Sequence, residues 1–213
     1  IYAARTSARL QIAQALNTEL LAVYQQLHTD EAYLPSNDQI AQRSLKNLAL
    51  SYLMLLETDE VKNLCVKQFE CSGNMTDVMA AFVSLINSGF GQEKAAALQS
   101  FYAKWQGEAL VLNQWLMVQA SCSVPGTLDH VKTLMQHPAF DIKNPNKVRA
   151  LIGAFCGQNV VNFHQQDGAG YRFLADQIIT LNELNPQIAA RLVNPLSKWR
   201  KYPQASQDMM KGE

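Results

Sequence analysis

The sequence has little of what β-strands and turns require. Of its 213 residues only 10 are glycine and 7 are proline, while 13 valines and 9 isoleucines stand against 26 leucines and 25 alanines. Leucine and alanine favour helices, whereas β-branched residues favour strands. No alternating apolar and polar run is long enough to predict a strand. The composition therefore predicts an all-α chain.

An excess of charge and long apolar segments are also lacking. The 18 basic and 18 acidic residues leave a formal net charge of zero. A neutral chain does not attract nucleic acid or an anionic membrane through its overall field. The most apolar stretch, from Leu48 to Leu56, is far shorter than the roughly 20 residues needed to span a bilayer. We therefore expect neither nucleic acid nor a membrane as partner.

The four cysteines have no paired CxxC spacing, and a chain of this size needs no disulfide to fold. Free thiols are typical of a reducing compartment, so we predict cytoplasmic localisation. The sequence starts at Ile1, inside a helical pattern and without a signal-peptide pattern. We therefore expect a segment of a longer chain.

Helical periodicity extends over nearly the whole chain, because apolar residues recur at steps of three and four. Helix-start signals stand at Ser36, at Asn74, and at the two Asn-Pro pairs that begin at Asn144 and Asn185. The pattern predicts ten or eleven helices, with the first continuous until just before Tyr33 and a frayed final segment.

Short connections place successive helices antiparallel to one another. A string of such helix pairs favours a right-handed superhelix of the HEAT or armadillo kind. We expect residues 1–213 to form a single domain of this class.

Motifs for catalysis are missing from the sequence. None of the four histidines belongs to a His-Glu-x-x-His motif, and no cysteine pair has zinc spacing. No serine lies in a Gly-x-Ser-x-Gly elbow. The basic and aromatic run from Lys198 to Tyr202 is better explained by cations at a helix C-terminus than by a nucleic-acid site. The chain is therefore predicted to lack both a metal site and a self-sufficient active site.

Three ordered motifs in the last third are more specific. The first is Asn-Pro-Asn-Lys-Val-Arg-Ala-Leu-Ile-Gly-Ala-Phe from Asn144, the second is Phe-His-Gln-Gln-Asp-Gly-Ala-Gly-Tyr from Phe163, and the third is Asn-Pro-Gln-Ile-Ala-Ala-Arg-Leu from Asn185. With Ile-Tyr-Ala-Ala-Arg at the start, they closely resemble the C-terminal helical domain of bacterial aminopeptidase N, a zinc metallopeptidase family of the gluzincin clan.

The resemblance implies that catalysis and substrate enclosure belong to different domains of one enzyme. In that family the zinc and the catalytic groups belong to an upstream domain, so this chain alone is expected to be inactive. The helical domain closes over the catalytic domain and walls the cavity that holds the peptide substrate. The residues that match cavity-facing positions of close relatives are Gln187 and Arg191. Lys147 and Arg149 lie near the other Asn-Pro helix start, where we expect them to add positive potential to the same cavity, and Lys147 is the third predicted substrate-binding residue.

Two further expectations complete the interpretation of the sequence. The segment from Asp167 to Tyr171 is expected to be structural, with glycines that permit a tight backbone and a tyrosine hydroxyl that needs a partner. The alternative function is a stand-alone HEAT-like scaffold that binds a protein partner.

Overall fold

The computed structural model of the protein describes residues 2–29 and 31–213, and its regular secondary structure there is helical, without strands. The α-helical segments are α1 Tyr2–Ala15, α2 Asn17–Gln26, α3 Asn37–Leu53, α4 Asp59–Cys71, α5 Met75–Ile86, α6 Gly91–Trp105, α7 Ala109–Ala120, α8 Thr127–Leu134, α9 Pro145–Val148, α10 Ala154–Gln158, α11 Val160–Phe163, α12 Ala169–Leu184, α13 Pro186–Leu192, α14 Asn194–Ser197 and α15 Gln204–Gly212. Two 3₁₀ turns, Met54–Leu56 and Trp199–Lys201, and a π-helical turn, Arg149–Gly153, complete the order. The first residue of the motif at Ile1 lies outside the described residues.

The helices form two compact units, one that ends at Ser100 and one that spans Phe101–Glu213. That residues 1–213 form one domain stays a prediction. Across the described part of the chain, no helix has both the length and the apolarity needed to cross a bilayer.

The predicted helix starts are confirmed by capping hydrogen bonds. In each case the side-chain oxygen accepts a backbone N–H from two or three residues later, which satisfies a donor that the first helical turn leaves free. The four capping residues are Ser36, Asn74, Asn144 and Asn185. Two of them precede a proline at the first helical position.

The first unit contains a buried ion pair. Lys46 Nζ on α3 lies 2.6 Å from Asp77 Oδ2 on α5, and both side chains are almost inaccessible to solvent. Asn47 and Asn74 also donate to this carboxylate. Burial alone would raise the pKa of Asp77, but the hydrogen bonds from Lys46, Asn74 and Asn47 offset it and hold the pKa below its usual value.

The second unit packs around aromatic side chains. Phe155 meets both Phe163 and Phe173 edge to face, at centroid distances of 6.2 and 5.6 Å. Tyr171 is fully buried beside them. Such T-shaped contacts contribute more than the apolar area alone, so they hold α10, α11 and α12 together beneath the candidate site.

The structure differs from the prediction in the number of helices, because the described residues form fifteen α-helical segments where ten or eleven were predicted, and it also differs at two ends of the pattern. The first predicted helix is divided at Leu16, whose φ of −113° leaves the helical range, although no glycine or proline stands there. The segment after Pro203 is not frayed but forms α15. It is held by the buried Met210 and by a hydrogen bond from Gln207 to the carbonyl of Tyr202.

Candidate functional site

A cavity of about 460 Å³ opens in the second unit. Its walls come from the segment around the π-helical turn, from α13 and α14, and from the residues that follow α14. The lining residues are Arg149, Gly153, Cys156, Gly157, Gln158, Asn159, Val160, His164, Ile188, Arg191, Leu192, Asn194, Pro195, Lys198 and Tyr202.

The charge of this lining has one sign. Arg149, Arg191 and Lys198 contribute three cations, and no aspartate or glutamate is among the lining residues. All three side chains are exposed to solvent. Apolar groups such as Val160 and Leu192 form another part of the wall. A ligand with an anionic end and an apolar body matches this combination.

Arg149 is positioned by an interrupted helix. The Asn144 cap and Pro145 start α9, and the helix then widens into the π-helical turn that begins at Arg149. The Arg149 guanidinium donates to Asn146 Oδ1 at 2.6 Å, which restrains its orientation. Single π-turns within α-helices are frequent at functional sites.

Arg191 is positioned by a short amphipathic helix. Ile188 and Leu192 are buried and anchor α13, while Arg191 lies on its exposed side and lines the cavity. Gln187 is also exposed and lies one turn earlier, so the i, i+4 spacing places it on the same helix face as Arg191. Gln187 does not itself line the cavity.

Lys147 faces a different direction from Arg149. Residues two positions apart in a helix point to nearly opposite sides, so the side chains of Lys147 and Arg149 do not face the same cavity. The Lys147 ammonium donates to the carbonyl oxygen of Ala139, and Lys147 is not a lining residue. Partial burial lowers the pKa of Lys147, and nearby Asp141 partly opposes this shift.

A buried amide cluster connects the cavity wall to the loop after α7. Asn159 Nδ2 donates to the carbonyls of Ala120 and Cys122, at 2.9 and 2.7 Å. Asn162 Nδ2 donates to the carbonyls of Cys122 and Val124. Because satisfied buried amides restrain the backbone, the cavity wall is fixed relative to this loop.

His164 on the cavity wall is held by two tyrosines. Its Nδ1 lies 2.9 Å from the hydroxyl of buried Tyr171, and its ring lies against Tyr202 at a centroid distance of 4.3 Å. Burial lowers the pKa of His164, so the imidazole is neutral at pH 7. The positive charge of the cavity therefore comes from Arg149, Arg191 and Lys198.

The loop before α12 has the structural role expected of it. Gly168 has φ of +69°, Asp167 Oδ1 accepts the N–H of Ala169, and Tyr171 finds its partner in His164. A Cβ atom at Gly170 would lie 2.2 Å from the carbonyl oxygen of Phe163. Glycine is therefore required by this close approach.

One cysteine, Cys156, is among the residues that line the cavity. Burial raises the pKa of the Cys156 thiol, so this sulfur stays protonated and is a poor nucleophile. Within residues 2–29 and 31–213, no three His, Cys, Asp or Glu side chains gather as metal ligands would. The arrangement is suited to binding.

Of the residues that line the cavity, sequence reasoning named Arg149 and Arg191 and missed the others, Lys198 and Tyr202 among them. Lys198 and Tyr202 belong to the run that was interpreted as cations at a helix end, yet both line the cavity. Their spacing of four residues was the available signal, because it places a cation and an aromatic ring near each other along the chain.

Comparison with known proteins identifies relatives over the full chain. A family model described as a domain of unknown function (DUF3458_C) with ARM repeats matches residues 1–213. The aminopeptidase N of Haemophilus influenzae is 38% identical over 211 residues, which cover 99% of this chain and 24% of that protein. The aminopeptidase N of Escherichia coli is 38% identical over 200 residues, which cover 94% of this chain and 23% of that protein. The aminopeptidase N of Caulobacter vibrioides is 34% identical over 213 residues, which cover 100% of this chain and 25% of that protein.

A solved structure agrees with these relatives. The crystal structure of Legionella pneumophila aminopeptidase A in complex with aspartic acid matches with a TM-score of 0.88 at 31% identity, covering 98% of this chain and 25% of that one. The predicted armadillo-like all-α fold and the resemblance to the C-terminal region of aminopeptidase N are confirmed. The chain spans about a quarter of the length of the relatives it matches.

Proposed function

Because the chain belongs to the ARM-repeat family described as DUF3458_C, we propose that it is the C-terminal domain of a zinc-dependent aminopeptidase. The whole enzyme releases N-terminal residues from peptides, and this domain walls the cavity that holds them. Its partners are peptide substrates and the catalytic domain of its own polypeptide, with neither nucleic acid nor membrane involved. We propose the cytoplasm as its compartment.

The observation that supports this role best is the cationic cavity without acidic residues. A peptide whose N-terminus lies at a catalytic centre presents its far end, with an α-carboxylate, to the surrounding wall. The Arg191 guanidinium can donate two parallel hydrogen bonds to a carboxylate, which an ammonium group cannot reproduce. Arg149 and Lys198 raise the positive potential around it.

The other proposed substrate-facing residues act beside Arg191. Gln187 lies one turn from Arg191 on the same helix face, where its amide can both donate to and accept from a peptide backbone. The Lys147 ammonium contacts the Ala139 carbonyl, so its proposed contribution is long-range positive potential.

Zinc belongs to the catalytic domain in this proposal. The described residues present no set of three ligands for it, so they do not fit a zinc site and no chemical step is assigned to them. When bound in its own domain, zinc supplies Lewis-acid activation of water. The 213-residue chain alone is therefore expected not to hydrolyse aminoacyl arylamides.

Replacing Arg191 with alanine in the whole enzyme is expected to lower kcat/KM roughly tenfold for a short peptide, because a charge-assisted hydrogen bond to the substrate is lost. An aminoacyl arylamide has no peptide tail to reach the cavity, so its kcat/KM should stay within about twofold. Steady-state assays with both substrates measure the two effects.

The matched control is Lys143→Ala, which removes an exposed cation of the same unit that does not line the cavity. It should leave both substrates unaffected. Equal losses for peptide and arylamide in Arg191→Ala would contradict the cavity role. An upstream reading frame without His-Glu-x-x-His would favour the scaffold function instead.

A further inference from the structure

One wall of the cationic cavity is apolar. Val160, the first residue of α11, lines the cavity, and its exposed fraction is 55%. A single exposed aliphatic side chain is ordinary on a protein surface. Val160 is not single, however, because Ile188, Leu192 and Pro195 line the same cavity. An apolar lining beside a few polar groups is typical of a site that binds an apolar part of a ligand.

Tyr202 adds a restrained aromatic ring to this wall. It lines the cavity and is half-buried. The His164 ring packs against it, with a centroid distance of 4.3 Å and planes inclined by 32°. The backbone of Tyr202 is also held, because its N–H donates to the carbonyl of Trp199 and its carbonyl accepts from Gln207 Nε2. A ring restrained in this way loses little freedom when a ligand packs on it.

The partner ring of Tyr202 adds no charge to the wall. Nδ1 of His164 lies 2.9 Å from the hydroxyl of Tyr171, and burial lowers the pKa of His164. The imidazole is therefore neutral at pH 7, and the two rings form an uncharged aromatic surface. Aromatic rings attract one another in offset or edge-to-face arrangements, beyond the effect of the buried area. This surface is therefore better suited to another aromatic ring than to a charged group.

The cavity has room for a bulky side chain. Gly157 of α10 lines it, and no atom lies within 4 Å of the place where a Cβ at Gly157 would stand. The cavity volume of about 460 Å³ is within the range of sites that enclose small ligands. A large side chain can therefore enter without a rearrangement of the wall.

The cations of the cavity and its apolar groups come from the same segments. Arg191 directly precedes Leu192 on α13, and Lys198 follows Pro195 by three residues. In a peptide, the terminal carboxylate and the side chain of the last residue are attached to the same carbon atom. A peptide whose carboxylate is held by Arg191 therefore presents the side chain of its last residue to the neighbouring apolar wall.

The geometry points to a subsite for an aromatic C-terminal side chain, formed by Tyr202 and Val160. This subsite rests on the proposed function and deepens it, because it names the class of peptide that the cavity prefers, which is one that ends in an aromatic residue. Tyr202 packs against the ring of that residue and Val160 flanks the ring, while Arg191 holds the carboxylate. Tyr202 and Val160 determine specificity and take no part in the cleavage of the bond.

Short alanine peptides with a varied last residue test the subsite in the whole enzyme. The bond to be cleaved is the same in all of them, and the last residue is phenylalanine, leucine, alanine or glutamate. Several lengths are first compared as free acids and as C-terminal amides. The length with the largest preference for the free acid places the carboxylate at the cations, and kcat/KM for the four last residues is measured at that length.

The variants separate the ring of Tyr202 from its hydroxyl and from apolar area elsewhere. Tyr202→Leu removes the ring, Tyr202→Phe keeps it, and Val160→Ser removes an apolar group that is exposed in the cavity. The matched control is Ile179→Ser, at a position of α12 that is 67% exposed and does not line the cavity.

We expect the wild type to prefer phenylalanine over alanine by about tenfold and over leucine by about threefold, because ring packing adds to the burial of apolar area. Tyr202→Leu should abolish the preference over leucine. Val160→Ser should lower the preference over alanine by about threefold. Tyr202→Phe and Ile179→Ser should keep both preferences.

Values of kcat/KM for phenylalanine and alanine within about twofold of each other in the wild type would overturn the subsite. A preference for phenylalanine that is unchanged in both Tyr202→Leu and Val160→Ser would also overturn it, as would a higher kcat/KM for glutamate, which would show that the cations bind a side-chain carboxylate. A retained preference for the free acid would in each case leave the proposed function standing. No preference for the free acid at any length would count against the proposed function and overturn the subsite with it.

Discussion

Replacing Gly170 with alanine is expected to lower the free energy of unfolding by about 3 kcal/mol, the upper part of the range for overpacked sites. The new Cβ would lie 2.2 Å from the carbonyl oxygen of Phe163 and 2.8 Å from its Cα. Both are backbone atoms, so no side-chain rotation relieves the clash. The segment at Phe163 must move away from α12, which disturbs its aromatic contacts with Phe155 and Tyr171.

Thermal unfolding measures this effect, and a loss of about 3 kcal/mol corresponds to roughly 6–12 °C for a chain of this size. The matched control is Gly91→Ala, at the first position of α6, where a Cβ would meet no atom within 4 Å. It should be neutral or slightly stabilising, because alanine restricts the unfolded chain more than glycine does. Equal melting temperatures for the two variants would show that α12 does not require the close approach.

Replacing Asp77 with alanine is expected to destabilise the protein by about 3–5 kcal/mol, because it leaves the Lys46 ammonium buried without a counter-charge. The variant also removes the acceptor of the hydrogen bonds from Asn47 and Asn74. Asn74 caps α5 by accepting the backbone N–H of residue 77, which the variant keeps, but the capping side chain loses the Asp77 carboxylate that holds its Nδ2, so the start of this helix is weakened as well. Denaturant titration at pH 7 measures the loss.

The double variant Lys46→Met/Asp77→Ala separates the charge from the packing. Removal of both charges should recover much of the stability, since an apolar replacement of a buried ion pair is often nearly neutral. The folded-state pKa of Asp77 is lowered, so its contribution is fully present above the unfolded-state value near 4. The contribution falls as the pH drops through the folded-state pKa, so the wild type and Asp77→Ala should converge in acid. A pH-independent difference would contradict the charge argument.

Local signals predicted the helix starts well. Asn144 and Asn185 cap helices through contacts within three residues, and such contacts are encoded in adjacent sequence. The loop at Gly168 was predicted for the same reason, since a positive φ calls for glycine. These features depend on short-range backbone geometry rather than on the fold.

Features that depend on tertiary packing were not predictable from the sequence. No glycine or proline marks the break between α1 and α2 at Leu16. The final segment is helical because Met210 of α15 is buried against the rest of its unit. The cavity brings Arg149, Arg191 and Lys198 together from segments about 40 residues apart. Sequence alone could not show that Arg149, rather than Lys147, faces the cavity, because that choice depends on the rotation of the helix.

The most direct test of the central claim compares a short peptide with its C-terminal amide as substrates of the whole enzyme. If the Arg191 guanidinium receives the peptide carboxylate, the wild type should prefer the free acid in kcat/KM by roughly tenfold, the typical value of one charge-assisted hydrogen bond. Arg191→Ala should remove this preference mainly by lowering kcat/KM for the free-acid peptide, while kcat/KM for the amide should change little. A preference for the acid that survives unchanged in Arg191→Ala would contradict the proposal that this cavity binds the substrate's carboxyl end.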